Sequence, residues 1–244
     1  MTMPRPPAPP VKPVTRGPSH ALIGGVVVLV VALIAVLVWA ATRDAGELGA
    51  SGSGAALPDG GGVSVGAGLE ADVPQIRIYE DFQCPWCGVL ERSVGEALAD
   101  KIEAGEVNVT FQIMSFLDGS LRNDSSTRAA NAALCADDAG AFVAFHGAVF
   151  ANQPQQEGTG WTDEQLVGFG RDAGISGEAL GTFEQCVADQ PHADYVADMQ
   201  TRANQDGVTG TPTMFVNGEK ITDEEMNRLM QDPSALDGVL AAHP

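Results

Sequence analysis

The sequence predicts an α/β fold with an inserted helical domain, preceded by a single N-terminal transmembrane helix. Three observations carry that prediction. Two segments of alternating apolar and polar residues, 75–82 and 106–116, flank a stretch with helical apolar spacing; a long block at 124–206 contains no convincing strand; and an uncharged apolar run of 22 residues occupies 21–42.

Taken in order, residues 1–20 are rich in proline, with Arg5, Lys12 and Arg16 and no acid, and read as an extended cytoplasmic tail. At about 1.5 Å per residue, the run from Ala21 to Thr42 is long enough to span the roughly 30 Å hydrocarbon core. Basic residues precede it and Asp44 and Glu47 follow it, so the positive-inside rule places everything after it outside the cytoplasm. A cleaved signal peptide has an apolar region of only about 7–15 residues, so the run reads as a retained anchor at the cell membrane. Residues 43–73 are dominated by Gly, Ala and Ser and read as a flexible linker, within which GVSVG is at most a marginal edge strand. The folded unit is expected over 74–244.

Within that unit, Gln75–Phe82 alternates as a strand and Pro85–Glu103 follows as a helix, with Val89, Leu90, Val94, Leu98 and Ile102 at helical spacing. Glu106–Phe116 is a second strand. The helical insertion covers about 124–206, broken near Gly140, 153–160, 174–177 and Pro191. Thr213–Val216 is a strand that turns at Asn217-Gly218 into Glu219–Ile221, and two short helices close the chain near 223–230 and 233–242.

Charge excludes one class of partner. The chain has 13 Lys+Arg against 32 Asp+Glu, a net charge of -19, and cannot readily present the basic surface that nucleic acid requires. The acidic runs read as a solvated, solubilising face.

Chemistry concentrates in four cysteines. Cys84-Pro85-Trp86-Cys87 stands at a strand-to-helix junction, so Cys84 lies over the unpaired N–H groups and positive end of the helix. That environment favours the thiolate and makes Cys84 the nucleophile. Pro85 occupies the first turn, where its missing N–H is harmless, and Cys87, one turn in, is suited to resolve a mixed disulfide. Zinc would need four ligands, and Cys135, Cys186, His146 and His192 have neither a second C-x-x-C nor a His pair at the right spacing, so no metal and no other cofactor is expected. His146 and His192 read as helix-packing or surface residues.

EDFQCPWC at this junction, FHGAVFANQ at 145–153 and GVTGTPTMFVNG at 207–218 resemble the DsbA-like thiol-disulfide oxidoreductases of the thioredoxin fold, of the membrane-anchored bacterial type, over about residues 70–243. The resemblance implies a thioredoxin-like fold, a redox-active Cys84–Cys87 pair and a cis-proline at Pro212 facing it. The Thr211 backbone would then offer strand-like hydrogen bonds to an extended peptide. Two positions depart from the family pattern. Pro85-Trp86 stands where the best-known oxidases carry Pro-His, which removes one source of thiolate stabilisation. Six residues before Cys84 stands Ile78, where relatives often carry a buried acid; Glu80 or Asp81 could relay protons instead, although either reads more simply as a solvated strand-end carboxylate. With Cys84 and Cys87 paired, Cys135 and Cys186 remain for each other as a structural staple across the insertion, the alternative being two free, buried thiols.

The implied activity is oxidation of unfolded exported proteins through a mixed disulfide, with a membrane redox partner, plausibly quinone-linked, returning the enzyme to its oxidised form. A reductase or isomerase serving a dedicated client such as cytochrome assembly is the alternative within the same chemistry. A peptide-binding chaperone with a structural disulfide is the alternative from another class.

Overall fold

A computed structural model of the chain describes residues 55–244. The anticipated tail, transmembrane segment 21–42 and first part of the linker lie outside these residues. Among the described residues no helix is long and apolar enough to cross a membrane.

Six strands form one sheet: β1 (Ala55–Ala56), β2 (Val63–Gly66), β3 (Gln75–Glu80), β4 (Asn108–Ile113), β5 (Thr213–Val216) and β6 (Glu219–Lys220), in the order β1-β2-β4-β3-β5-β6. β3 runs parallel to β4, with Ile76 beside Val109 and Ile78 beside Phe111, and antiparallel to β5, with Ile78 beside Met214. A parallel pair needs a long crossover, and α1 (Pro85–Glu103) supplies it. Leu90, Val94, Leu98 and Ile102 form its buried stripe, the spacing read from the sequence. At the far edge Asn217 and Gly218 both have positive φ, the geometry of a two-residue turn joining β5 to β6. The central strand β3 therefore delivers the chain to Cys84 with a strand on either side of it, so the reactive turn is carried on the most constrained part of the sheet.

The linker expectation is corrected over residues 55–73. Val63 and Val65, 0% and 2% exposed, alternate with Ser64 and pair antiparallel to β4 along an edge that would otherwise be open. The preceding turn is also held: Tyr195 Oη donates to the carbonyls of Leu57 and Gly62, and Gln112 Nε2 to that of Gly60 at 2.6 Å. Gly60 has φ +68°, and a Cβ there would stand 2.3 Å from the Asp198 carbonyl carbon, so no other residue fits this close approach. Composition alone suggests a tether here; two valines and a free sheet edge are enough to fold it.

Between β4 and β5 lie six helices: α2 (Phe116–Leu121), α3 (Ser125–Asp138), α4 (Phe142–Ala151), α5 (Asp163–Asp172), α6 (Gly177–Asp189) and α7 (Ala193–Gln205). The short α2 begins where the second strand was expected to end, because β4 stops at Ile113. α3 is the centre of the insertion. Its small residues Ala129, Ala130, Ala132, Ala133 and Ala136 are all 0% exposed, which lets α4, α6 and α7 pack closely around it. α8 (Asp223–Gln231) and α9 (Ala235–Ala242) finish the domain, with α8 opened by a Thr222–Glu225 capping box and packed on α1.

Cys135 on α3 and Cys186 on α6 form a disulfide with a sequence separation of 51. Closing a loop of that length restricts the unfolded chain by about 4 kcal/mol on loop-closure entropy. The Cys135→Ala, Cys186→Ala double variant is therefore expected to lose up to about 4 kcal/mol of stability in urea unfolding while leaving Cys84 and Cys87 reactive.

Candidate active site

Cys84 and Cys87 are free thiols at the start of α1, one turn apart, and their surroundings differ. Cys84 is the N-cap residue in an extended conformation, so its sulfur lies beside the first N–H groups of the helix. As a thiol it donates to the Thr211 carbonyl at 3.4 Å. Its pKa is lowered to about 6. The largest cause is the hydrogen bond donated by the Cys87 thiol. Burial acts the other way, and Thr211 and the backbone N–H groups of Cys87 and Trp86 add to the lowering. The Thr211 hydroxyl is buried without a partner while Cys84 is a thiol, which leaves it free to donate once the thiolate forms. Cys87, 1% exposed, is pushed well above the ordinary thiol range, first by burial and then by its bond to Cys84 and the nearby Cys84 and Glu80 charges. Both residues are buried, Cys84 at 6% exposure and Cys87 at 1%, and the two sulfurs differ in what they touch: a thiolate favoured by its donors and a thiol that supplies one of its hydrogen bonds.

Thr211 and Pro212 come to this site from the other end of the sequence, joined by a cis peptide bond at the start of β5. Trp86, between the two cysteines, is 63% exposed and offers apolar surface at the site. Pro85 is exposed in the first turn of α1.

The turn that carries Cys84 is held by the helical insertion, and the residues doing so were not legible from motif spacing. Gln153, just beyond α4, donates through Nε2 to the carbonyls of Phe82 and Cys84, both at 2.8 Å. Gly88 leaves room for it, since a Cβ there would meet Gln153 Oε1 at 2.2 Å. The only sequence signal for Gln153 was its place at the end of FHGAVFANQ.

Glu80 and Asp81 are corrected from solvated strand-end carboxylates to buried ones, 3% and 0% exposed. Asp81 accepts from the backbone of Gln83 and Leu117 and from Ser126 Oγ at 2.6 Å. Burial nevertheless raises its pKa to about 7, against those hydrogen bonds. Glu80 is ion-paired with His146 of α4, a residue read from the sequence as packing or surface. His146 is 2% exposed and its ring is surrounded by Phe82, Phe111, Phe142 and Phe150. Burial alone would lower the His146 pKa, but Glu80 and Glu91 outweigh it and hold it up at about 10. The Cys87 sulfur accepts from the Asp81 backbone N–H, which puts it at the Glu80–Asp81 end of β3. Ile78, where relatives often carry an acid, is an ordinary core residue, 3% exposed. His192 is held against Asp138 at 2.8 Å, and the nearby Cys135 and Cys186 sulfurs are committed to their disulfide, so this grouping offers a metal no thiolates.

Comparison with known proteins places the arrangement. A family model described as Thioredoxin matches residues 62–232. Among solved structures, reduced DsbA from Mycobacterium tuberculosis is 25% identical with a TM-score of 0.55, covering 74% of this chain and 98% of its own. Reduced DsbG from the same organism, described as a disulfide bond oxidoreductase, is 25% identical with a TM-score of 0.54, covering 74% and 92%. MdbA from Actinomyces oris shares the fold at 21% identity and a TM-score of 0.64, covering 75% and 89%. Among curated proteins, the chain is 31% identical over 151 residues to Na(+)/H(+) antiporter NhaA 1 of Salinispora arenicola, an alignment covering 62% of this chain and 21% of that protein. The chain therefore matches about a fifth of the length of such relatives.

The lowered Cys84 pKa fixes a pH dependence. A group whose folded pKa is depressed contributes stability above its unfolded pKa and loses it as pH falls through the folded value. The reduced protein is expected to lose this contribution progressively as pH falls from the ordinary thiol range to about 6, and Cys84→Ser to lack that slope, in urea unfolding as a function of pH. Thiolate absorbance should titrate near 6 in the wild type and at higher pH in Cys87→Ala, which removes the largest stabilising hydrogen bond.

Proposed function

The chain belongs to the thioredoxin family, and from that premise we propose that it is an extracytoplasmic thiol-disulfide oxidoreductase that introduces disulfides into unfolded exported proteins through its CPWC site. The observation that carries this reading is the unequal pair at the start of α1: a Cys84 thiolate stabilised to a pKa of about 6 beside a buried Cys87 thiol. Stabilising the reduced form makes the disulfide the better oxidant.

The chemistry follows from the burial. In the oxidised enzyme a substrate thiolate attacks Cys84 Sγ, the less buried residue of the pair at 6% exposure against 1% for Cys87. The Cys84–Cys87 bond breaks and Cys87 leaves with the electron pair. At neutral pH it takes up a proton, because its pKa lies well above the thiol range, and the buried Glu80–His146 pair, which holds a proton between its two members, stands behind it. The second substrate thiolate then attacks the substrate sulfur of the mixed disulfide and releases Cys84 as a thiolate. The substrate has lost two electrons and the enzyme's disulfide has become a dithiol. Exposed Trp86 and the Thr211–Pro212 edge supply apolar contact and backbone hydrogen bonds to an extended peptide without demanding a particular sequence.

Regeneration needs an acceptor of two electrons, and a quinone-linked oxidase in the membrane fits an enzyme anchored through residues 21–42 with its N-terminus in the cytoplasm and its catalytic domain outside. Support for that placement is the charge distribution around the apolar run and the Cys135–Cys186 disulfide, a bond suited to an oxidising compartment. Trp86 in place of a histidine supports the second reading, a reductase or isomerase for a dedicated client, because it removes a source of thiolate stabilisation.

Equilibrating the purified protein in glutathione buffers and following tryptophan fluorescence decides between them. A reduction potential near or above about -180 mV is expected for the oxidase, whereas a value near about -270 mV would make the protein a reductase. Cys84→Ser should abolish both thiol oxidation and insulin reduction.

A further inference from the structure

The Cys135–Cys186 disulfide lies beside a histidine that its spacing in the sequence does not associate with either cysteine. A ring nitrogen of His192 and the two sulfurs all lie within 4.8 Å of one another. The turn from α6 to α7 brings His192 there. The Cys186 carbonyl accepts from the Gln190 N–H at 3.0 Å, Gln190 turns left-handed at φ +51°, and His192 becomes the N-cap residue of α7. On the other side of the ring, His192 Nε2 bonds Asp138 Oδ2 at 2.8 Å, and Asp138 stands one turn beyond Cys135 on α3. Cys135, Cys186 and Asp138 also line a pocket of about 240 Å³ beside the bond. Cys135 is buried, whereas Cys186 and His192 are half-buried, so an ion can reach the group from solvent.

The disulfide is not all that holds these residues together. Asn131, 0% exposed and one turn before Cys135, donates through Nδ2 to Cys135 Sγ at 3.6 Å and to the Cys186 carbonyl at 3.4 Å. Its Oδ1 accepts from the His192 backbone N–H at 3.0 Å. One buried amide therefore touches all three residues, and opening the S–S bond removes none of its contacts. Two thiolates and an imidazole are the donors that zinc takes in tetrahedral sites, whereas calcium and magnesium take oxygen. A carboxylate on the far nitrogen of a ligating histidine fixes the tautomer and the ring orientation, which is where Asp138 stands.

We propose that Cys135, Cys186 and His192, with Asp138 behind the histidine, form a zinc site when their disulfide is reduced. The junction of α3 and α6 is then fastened by metal in the dithiol state and by the S–S bond in the oxidised state. A dithiol gives two electrons to the disulfide and becomes a disulfide itself, leaving two thiols on the protein. As Zn²⁺ binds, both thiols pass their protons to solvent and two Zn–S bonds form. With its proton on Nε2 towards Asp138, His192 gives the metal its Nδ1 lone pair, and water from the pocket fills the fourth position. In the reverse direction an oxidising disulfide takes the two electrons from the thiolates, the S–S bond forms and zinc leaves. Cys84 and Cys87 take no part, so the site does not depend on the thiol-disulfide reading above.

The test uses the full chain carrying Cys84→Ser and Cys87→Ser, in which Cys135 and Cys186 are the only cysteines. One sample is left oxidised; another is reduced by a phosphine, which takes the oxygen of a water as it gives the disulfide two electrons, and is kept free of air. Each is titrated with Zn²⁺ against a chromophoric zinc chelator. The reduced chain is expected to take up one zinc and the oxidised chain none. Co²⁺ in place of Zn²⁺ should give the near-ultraviolet thiolate-to-metal band and the visible bands of a tetrahedral site. His192→Ala removes a ligand, and Asp138→Asn, at a side chain 63% exposed, removes only the carboxylate behind it. Each is expected to weaken zinc binding about tenfold or more, while the melting temperature of the oxidised form reports that the variant is folded. In the reduced chain, zinc should restore much of the melting temperature lost when the disulfide opens. Equal uptake by oxidised and reduced chains would overturn the proposal, as would no uptake by the reduced chain or an affinity unaltered in both His192→Ala and Asp138→Asn.

Discussion

Two sulfurs one helical turn apart must hold opposite protonation states for this site to work, and the hydrogen bond from the Cys87 thiol to Cys84 is what couples them. It is strong enough to matter because Cys87 is cut off from water while Cys84 sits at the helix start, where backbone N–H groups have no partner of their own. Lower the burial of Cys87 and its pKa falls towards that of Cys84, and the difference between the two thiols is lost. The rest of the domain keeps Cys87 shut away at 1% exposure while Cys84, at 6%, stays against the helix start and the Thr211 carbonyl.

The helical insertion does most of that work. Gln153 ties down the carbonyls on either side of the turn, Ser126 and the α2 backbone hold Asp81, and His146 pairs with Glu80, all from the segment inserted between β4 and β5. The sheet contributes the other wall by bringing the Thr211–Pro212 bond beside Cys84 through the β3–β5 pairing. The insertion is therefore built into the geometry of the turn that carries Cys84. The Cys135–Cys186 disulfide, which fastens α3 to α6, stiffens the body from which those contacts come.

Buried ionisable groups behind the cysteines are the costly part of this design. A carboxylate with 3% exposure survives only beside a cation, and His146 is that cation, itself sustained by a second carboxylate, Glu91 of α1. The ring of phenylalanines around the imidazole excludes water and strengthens the pairing.

What could be read from the residues alone was whatever depends on local spacing. The strand from Gln75, which ends at Glu80 and not Phe82, the apolar stripe of α1, of which all but half-buried Val89 is buried, the Asn-Gly turn and the C-x-x-C at a helix start are all properties of neighbours in sequence. Position relative to the rest of the chain was not available in that way. Glu80 and Asp81 carry the same alternating pattern whether the strand end faces water or is roofed by helices, and only the insertion, folded over them, decides that they are buried. Val63 and Val65 read as part of a tether until an open strand edge exists for them to pair with. His146 is one histidine on an apolar helix until β3 sets Glu80 against it. Local periodicity is written into consecutive residues by backbone geometry, whereas burial and charge pairing belong to contacts between segments tens of residues apart, and those the tertiary structure alone decides.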